Sequence, residues 1–138
     1  MPQQVELEIS SDPRWLRMVR AMMDEVSRQA GFGEAERCDI MIAVDEALSN
    51  VMKHAYKGDP NGRVWLSCIA DSGCLEIVLR DKGEALDPKR LDPPPPDEMR
   101  VGGRGIFLMR STMDEVIFER NGNTNLVRLC KHVKARTR

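Results

Sequence analysis

Apolar and acidic residues alternate from Val5 to Ile9, with Val5, Leu7 and Ile9 set against Glu6 and Glu8. A period of two predicts a half-buried strand. The period then changes. Trp15, Leu16, Val19, Met22, Met23 and Val26 recur at three- and four-residue steps, which predicts a helix to about Gln29, entered through Ser11-Asp12-Pro13. Gly31-Phe32-Gly33 breaks it. A second helix begins near Glu34, turns Cys38, Met41, Val44, Leu48 and Val51 inward, and stops before the turn formers of Lys57-Gly58-Asp59-Pro60-Asn61-Gly62. Alternation returns over Arg63 to Ala70 and Cys74 to Arg80, two strands joined by the hairpin turn Asp71-Ser72-Gly73. The prolines from Pro93 to Pro96 exclude helix and sheet interior, so Arg90 to Val101 is expected to be an extended, stiff loop. A third helix is predicted over Arg104 to Met113, apolar at Ile106, Phe107, Met109 and Met113. Val116 to Glu119 and Asn125 to Val133 read as two last strands around Asn121-Gly122-Asn123.

Strands with one apolar face and helices with one apolar stripe must bury them against each other. The order β-α-α-β-β-loop-α-β-β therefore predicts an α/β (α+β) two-layer sandwich. It has one mixed, mostly antiparallel sheet with helices on a single face, and a more polar opposite face. With 138 residues, no repeat and no linker, residues 1–138 are expected to form one domain. Aromatic residues are only 4% of the chain, so the core must rest on Leu, Ile, Val, Ala and the nine Met. A formal net charge of -1 argues against general nucleic-acid binding, which needs clustered Lys and Arg. The exception is the stretch from Asn121 to Arg138, which has no acid and carries Arg128, Lys131, Lys134, Arg136 and Arg138; it is expected to be a solvated tail. No segment approaches the ~20 apolar residues of a membrane span, and Met-Pro-Gln-Gln-Val-Glu-Leu-Glu does not resemble a signal peptide. A cytoplasmic protein is expected. Cys38, Cys68, Cys74 and Cys130 form no C-x-x-C pair. Each is expected to be a free thiol in the core, and their spacing does not suggest zinc.

Chemistry gathers in three places. Within Val44 to Tyr56, Val44, Leu48, Val51 and Ala55 form one stripe, while Glu46, Asn50, Lys53 and His54 recur on another face. Gly102-Gly103-Arg104-Gly105 lies just before and within the first turn of the third helix, where free N–H groups and the positive end of the dipole favour phosphate. Asp81-Lys82-Gly83 ends a strand, so the carboxylate can accept a hydrogen bond from an amino group. Asn50 offers an amide oxygen suited to Mg2+, and Glu46, one helical turn away, can take a proton from an attacking hydroxyl. Alone, each has an ordinary explanation as a surface face, a flexible loop or a turn.

Taken together, Glu46-x-x-x-Asn50-x-x-Lys53-His54-Ala55-Tyr56, Asp81-x-Gly83-x-x-Leu86-Asp87-Pro88 and Gly102-Gly103-Arg104-Gly105-Ile106-x-Leu108 resemble the GHKL ATPase superfamily. Within it, the chain is similar to the anti-sigma-factor serine/threonine kinases. The resemblance implies the Bergerat fold, with ATP and Mg2+ between the second helix and a lid at about 91–103. It implies that Asp81 binds the adenine amine, Gly83 lets the base approach, Asn50 holds the metal and Glu46 is the general base. Lys53, Gly102, Gly103, Arg104, Gly105 and Ile106 would complete the nucleotide site, with Thr124 supporting Asp81. Leu86 departs from a common Phe, and the lid is short and proline-rich. The function implied is ATP-dependent phosphorylation of an anti-sigma-factor antagonist together with sequestration of a sigma factor. A homodimer is expected, with no direct contact to nucleic acid or membrane. The alternative is a nucleotide-gated binding module with little or no transfer; Glu46 favours the enzyme, since a binder needs no base. The catalytic part of a histidine kinase is opposed by the histidine content, His54 and His132 only, and by the lack of a helical hairpin presenting either one.

Overall fold

The structure is a computed structural model that describes residues 3–91 and 104–134, Arg104 by its backbone alone. The proline run, all of the lid except Leu91, Gly102, Gly103 and the tail beyond Lys134 lie outside the described residues.

Five strands, β1 (Gln3–Ser10), β2 (Arg63–Asp71), β3 (Cys74–Asp81), β4 (Glu115–Asn121) and β5 (Thr124–His132), pair in the order β1-β2-β3-β5-β4. Every neighbouring pair is antiparallel, where a partly parallel sheet was expected. The connections explain this. Two helices, α1 (Leu16–Gln29) and α2 (Glu34–Asn50), separate β1 from β2 and return the chain antiparallel. One helix, α3 (Arg104–Thr112), separates β3 from β4 and leaves them parallel in direction, but β5 lies between them.

Register puts one row of side chains under the helices. Val64, Leu79 and Leu66 of the central strands join Leu75, Ile77 and Leu129 on that face, all buried. Val19 and Met23 of α1, Ile40, Val44 and Leu48 of α2, and Met109 of α3 close over them. Each fully buried aliphatic side chain contributes roughly 1.5–3 kcal/mol. α2 packs between α1 and α3, so its apolar positions spread beyond one stripe, and Ala43 and Ala47 let the neighbours approach. The cysteines divide. Cys68 and Cys130 are buried, but Cys38 is exposed and Cys74 half-buried, so the expectation of four core thiols is corrected. Among the described residues no helix is long and apolar enough to cross a membrane.

The helix α2 does not end as a regular α-helix. Val51–Ala55 forms a π turn, in which the Tyr56 N–H donates to the Val51 carbonyl at 3.0 Å. The wider turn is the local feature that sets which side chains reach the site.

Candidate functional site

A cavity of about 440 Å³ opens where the end of α2, the loop after β3 and the inner face of β4 and β5 converge. Asn50, His54, Asp81, Arg90, Phe118 and Asn125 are among the residues that line it. Asp81 is 4% exposed, a buried carboxylate on the helix-covered face of the sheet. Its Oδ1 accepts from the Gly83 N–H at 2.9 Å and from Asn125 Nδ2 at 2.8 Å. Both bonds fall on Oδ1, which leaves Oδ2 as an acceptor for a donor in the cavity. Burial pushes the Asp81 carboxyl above its ordinary value of 3.8, and the bonds from Asn125 and Gly83 and the nearby Arg120 charge pull the other way.

Asn125 is the Cα partner of Asp81 across β3 and β5. Arg120 Nη1 donates to Asn125 Oδ1 at 2.7 Å and to the Gly83 carbonyl at 3.2 Å. A cation on the amide oxygen fixes the orientation of the amide, so its nitrogen faces Asp81 and the Glu84 carbonyl, the latter at 2.8 Å. Gly83 is required by its neighbour: a Cβ there would lie 2.5 Å from the backbone oxygen of Ala55. That oxygen also accepts from the Glu84 N–H at 2.8 Å, which ties the loop to the end of α2. Tyr56 makes a second tie, its hydroxyl accepting from the Lys82 N–H at 2.9 Å.

At the other end of the cavity, Arg90 donates to Asn50 Oδ1 at 3.3 Å. His54 is at the rim, its pKa lowered by burial first and then by the charges of Arg90 and Lys53. Glu46 is half-buried one turn before Asn50 on α2. It lies against Gly105 in the first turn of α3, where any Cβ would collide with its carboxylate.

A family model described as "Histidine kinase-like ATPase domain" matches residues 9–131. The chain belongs to the histidine kinase-like ATPase domain family. The serine-protein kinase RsbW of Bacillus subtilis is 32% identical over 120 residues, 81% of this chain and 75% of that protein. The serine-protein kinase RsbW of Listeria monocytogenes is 30% identical over 124 residues, 84% of this chain and 79% of that protein. In fold, the chain resembles the crystal structure of RsbU and RsbW domains from Mycobacterium tuberculosis, with a TM-score of 0.69 at 17% identity. That match covers 99% of this chain and 34% of the other, so the chain spans about a third of it. A histidine kinase domain from Erythrobacter litoralis gives a TM-score of 0.55 at 20% identity, covering 87% of this chain and 60% of the other.

In this ATPase domain, Asn50 and Asp81 line one cavity, Gly83 bonds Asp81 from the loop behind it, and Glu46 meets Gly105 in the first turn of α3. Three expected site residues are elsewhere. Thr124 does not support Asp81; its hydroxyl bonds Asn123 at 3.3 Å, and Asn125 makes the contact. The reason is parity: only the residue opposite Asp81 on β5 shares its face. Lys53 is exposed and not among the described residues lining the cavity. A π turn closes its bonds over five residues instead of four, so the phase shifts and His54, not Lys53, joins Asn50 in the wall. The Ile106 side chain is buried in the core, 4% exposed, which leaves only its backbone for a ligand. Asn125, Arg120, Arg90 and Tyr56 were missed. The alternation of β5 puts both Asn125 and Lys131 on the inward row, and only the pairing of Asn125 with Asp81 marks it out.

Proposed function

We propose that this domain is an ATP-dependent serine/threonine protein kinase that phosphorylates an anti-sigma-factor antagonist and, in its other partner state, holds a sigma factor inactive. One observation carries the nucleotide part: Asp81 is a buried carboxylate with both bonds on one oxygen and the other left to the cavity. The adenine amine fits that acceptor. Relatives named serine-protein kinases over most of this chain support the transfer.

ATP would place its base against Asp81 and Gly83 and run its phosphates toward Asn50 and the first turn of α3. The free N–H groups there, with Gly102, Gly103, Arg104 and Gly105, suit phosphate. The donor set fits Mg2+ with ATP, since Asn50 Oδ1 already takes a cationic partner in Arg90. Mg2+ held by Asn50 would neutralise charge on the phosphate oxygens. Glu46 accepts the proton of the serine or threonine hydroxyl as its oxygen bonds to the γ-phosphorus; the bond to the bridging oxygen breaks and ADP leaves. Gly105 keeps the carboxylate seated at α3. Residues 91–103 would act as the lid. A homodimer in the cytoplasm, without direct nucleic-acid or membrane contact, completes the proposal.

The test is single-turnover phosphate transfer to the cognate antagonist, run beside an ATP titration. Glu46→Gln should cut transfer by roughly 10²-fold or more. ATP affinity should stay within a factor of a few, because a base acts mainly in the transition state. Sigma-factor binding should survive. Transfer at the parent rate would remove Glu46 as the base, and a parent that binds ATP but transfers to no partner would leave the gated binding module.

A further inference from the structure

Two thiols and an imidazole meet on the open face of the sheet, at the end of β3 away from Asp81. Cys74 is the Cα partner of His132, and Cys130 precedes His132 by two residues on β5, so all three share one face. The sulfurs of Cys74 and Cys130 are 2.8 Å apart. A ligand atom from each of the three residues lies within 4.8 Å of the others. Cys130 is buried, Cys74 half-buried and His132 exposed, so the cluster has a walled side and an open side.

The backbone around it is held in place. The His132 N–H donates to Asp114 Oδ2 at 2.7 Å, and the Val133 N–H donates to the Gly73 carbonyl at 2.7 Å. The charge around it is negative. Glu76 and Glu115 are the Cα partners of Cys130 on its two neighbouring strands. The carboxylates that oppose a bare thiolate attract a cation, and a bound cation removes the opposition.

The sulfur separation of 2.8 Å lies between that of a disulfide and that of a bridged pair, and it is the usual strand spacing that favours the bridging ion. Cys74 and Cys130 are diagonal neighbours, and diagonal positions on antiparallel strands are typically about 7–8 Å apart at Cα. A disulfide usually needs about 4.4–6.8 Å. An ion with two Zn–S bonds of about 2.3 Å bridges tetrahedrally placed sulfurs about 3.7 Å apart. From 2.8 Å the two sulfurs would part by about 0.9 Å to reach that separation. Two thiolates and an imidazole are also the donors that select a soft or borderline ion over Mg2+.

We propose that Cys74, Cys130 and His132 form a zinc-binding site, with two thiolates and a neutral imidazole as ligands and a fourth position open to water. Binding forms two Zn–S bonds and one Zn–N bond, and the two thiol protons pass to solvent. The ion clamps β3 to β5 at the end of the sheet away from the nucleotide cavity. The proposal stands apart from the kinase reading.

The experiment uses the full chain without an affinity tag, reduced and stripped of metal by a chelator. It is titrated with Zn2+ against a chromophoric competitor, and with Co2+ as an optical reporter. One Zn2+ per chain is expected, along with a thiolate-to-cobalt absorption band and protection of two of the four thiols from alkylation. Cys74→Ser should abolish the band, and His132→Gln, at an exposed position, should weaken binding at least tenfold. Cys38→Ser should change neither. Zinc uptake that is substoichiometric, or indifferent to both Cys74→Ser and His132→Gln, overturns the site. So does a reduced protein that ignores Zn2+ and forms a Cys74–Cys130 disulfide in air.

Discussion

The two ends of β3 use one strand in opposite ways. Asp81 faces the helices and Cys74 faces away from them, because the two ends of this eight-residue strand are an odd number of steps apart and the pleat alternates at each step. Over the strand's eight residues the two ends are roughly 23 Å apart at about 3.3 Å per residue. At the Asp81 end the last turn of α2 reaches the loop that follows the strand. Three chain ends meet there: the π turn of α2, the loop after β3 and the start of β5. Their convergence makes a concave site in which one carboxylate is buried and two of its neighbours are fixed by Arg120. At the Cys74 end no described helix covers the outer face, and strand register alone brings Cys74, Cys130 and His132 together. A concave site therefore depends on how elements pack, whereas a site on a sheet face depends only on pairing. Changes to loop backbone should damage the first and spare the second.

Gly83→Ala is the harshest test of that dependence. Its Cβ would meet the Ala55 backbone oxygen at 2.5 Å, and a backbone atom cannot rotate away. Overpacking of this kind typically costs about 1–3 kcal/mol. Urea unfolding should show that loss, nucleotide binding should fall with it, and the thiol cluster of the folded fraction should be unchanged. Unaltered stability would mean that the loop shifts freely and does not depend on α2.

Asp81→Asn is next in size and isolates the ligand from the fold. GTP presents a carbonyl where ATP has its amine, so a carboxylate discriminates by ~2 kcal/mol or more. Calorimetry should find ATP favoured over GTP in the parent, and most of the preference lost in the variant. Stability should not fall. The Asp81 pKa is raised in the folded state, so its favourable contribution exists below the ordinary value of 3.8 and is lost as pH rises through the raised value. At neutral pH the buried charge costs stability, and a neutral amide removes that cost. A variant that unfolds near neutrality would mark Asp81 as a structural residue.

The same comparison explains what could be read in the sequence. Alternation and three-to-four spacing gave the strands and helices because burial on one face is a local pattern. Asp81 and Gly83 were legible because the turn that positions them is local too. Asn125 was not, since its role follows from pairing with a residue 44 positions away. Nor was the cluster of Cys74 and Cys130, 56 positions apart, because zinc spacing rules describe ligands held by one loop. Lys53 was misplaced for a third reason: a π turn shifts the phase of a helix, and no residue type in Val51–Ala55 announces one. Thr124 was assigned by likeness alone, and a shift of one position on a strand changes its face.

A change of one position is also open to measurement. Asn125→Ala removes the donor to Asp81 and leaves Arg120 without its amide oxygen. The affinity for adenosine should fall by about 1 kcal/mol, the typical worth of one such bond. Thr124→Ala should leave it unchanged, because among the described residues that hydroxyl bonds Asn123 and not Asp81. Fluorescence competition with adenosine suits this comparison, since it omits the phosphates. An equal loss in both variants would mean that the turn of β4 and β5 matters as a whole and not through the amide.

The smallest expected effect is the pH dependence of the same binding. Burial raises the Asp81 pKa, only partly offset by Asn125, Gly83 and Arg120. As pH falls toward that raised value, the carboxylate takes up a proton and loses its strength as an acceptor for the adenine amine. Adenosine affinity should drop a few-fold between neutral pH and the acid side, beginning above the ordinary value of 3.8. ATP would obscure this, because His54 gains charge over part of the same range at the rim of the cavity. Its pKa is lowered, chiefly by burial, so the imidazole is neutral at pH 7 and charges only on acidification, which favours phosphate. Adenosine carries no phosphate and leaves the Asp81 effect exposed. Asp81→Asn should flatten the adenosine profile, whereas His54→Gln should not. A profile that stays sloped in Asp81→Asn would transfer the pH dependence to another group and remove Asp81 as the titrating acceptor.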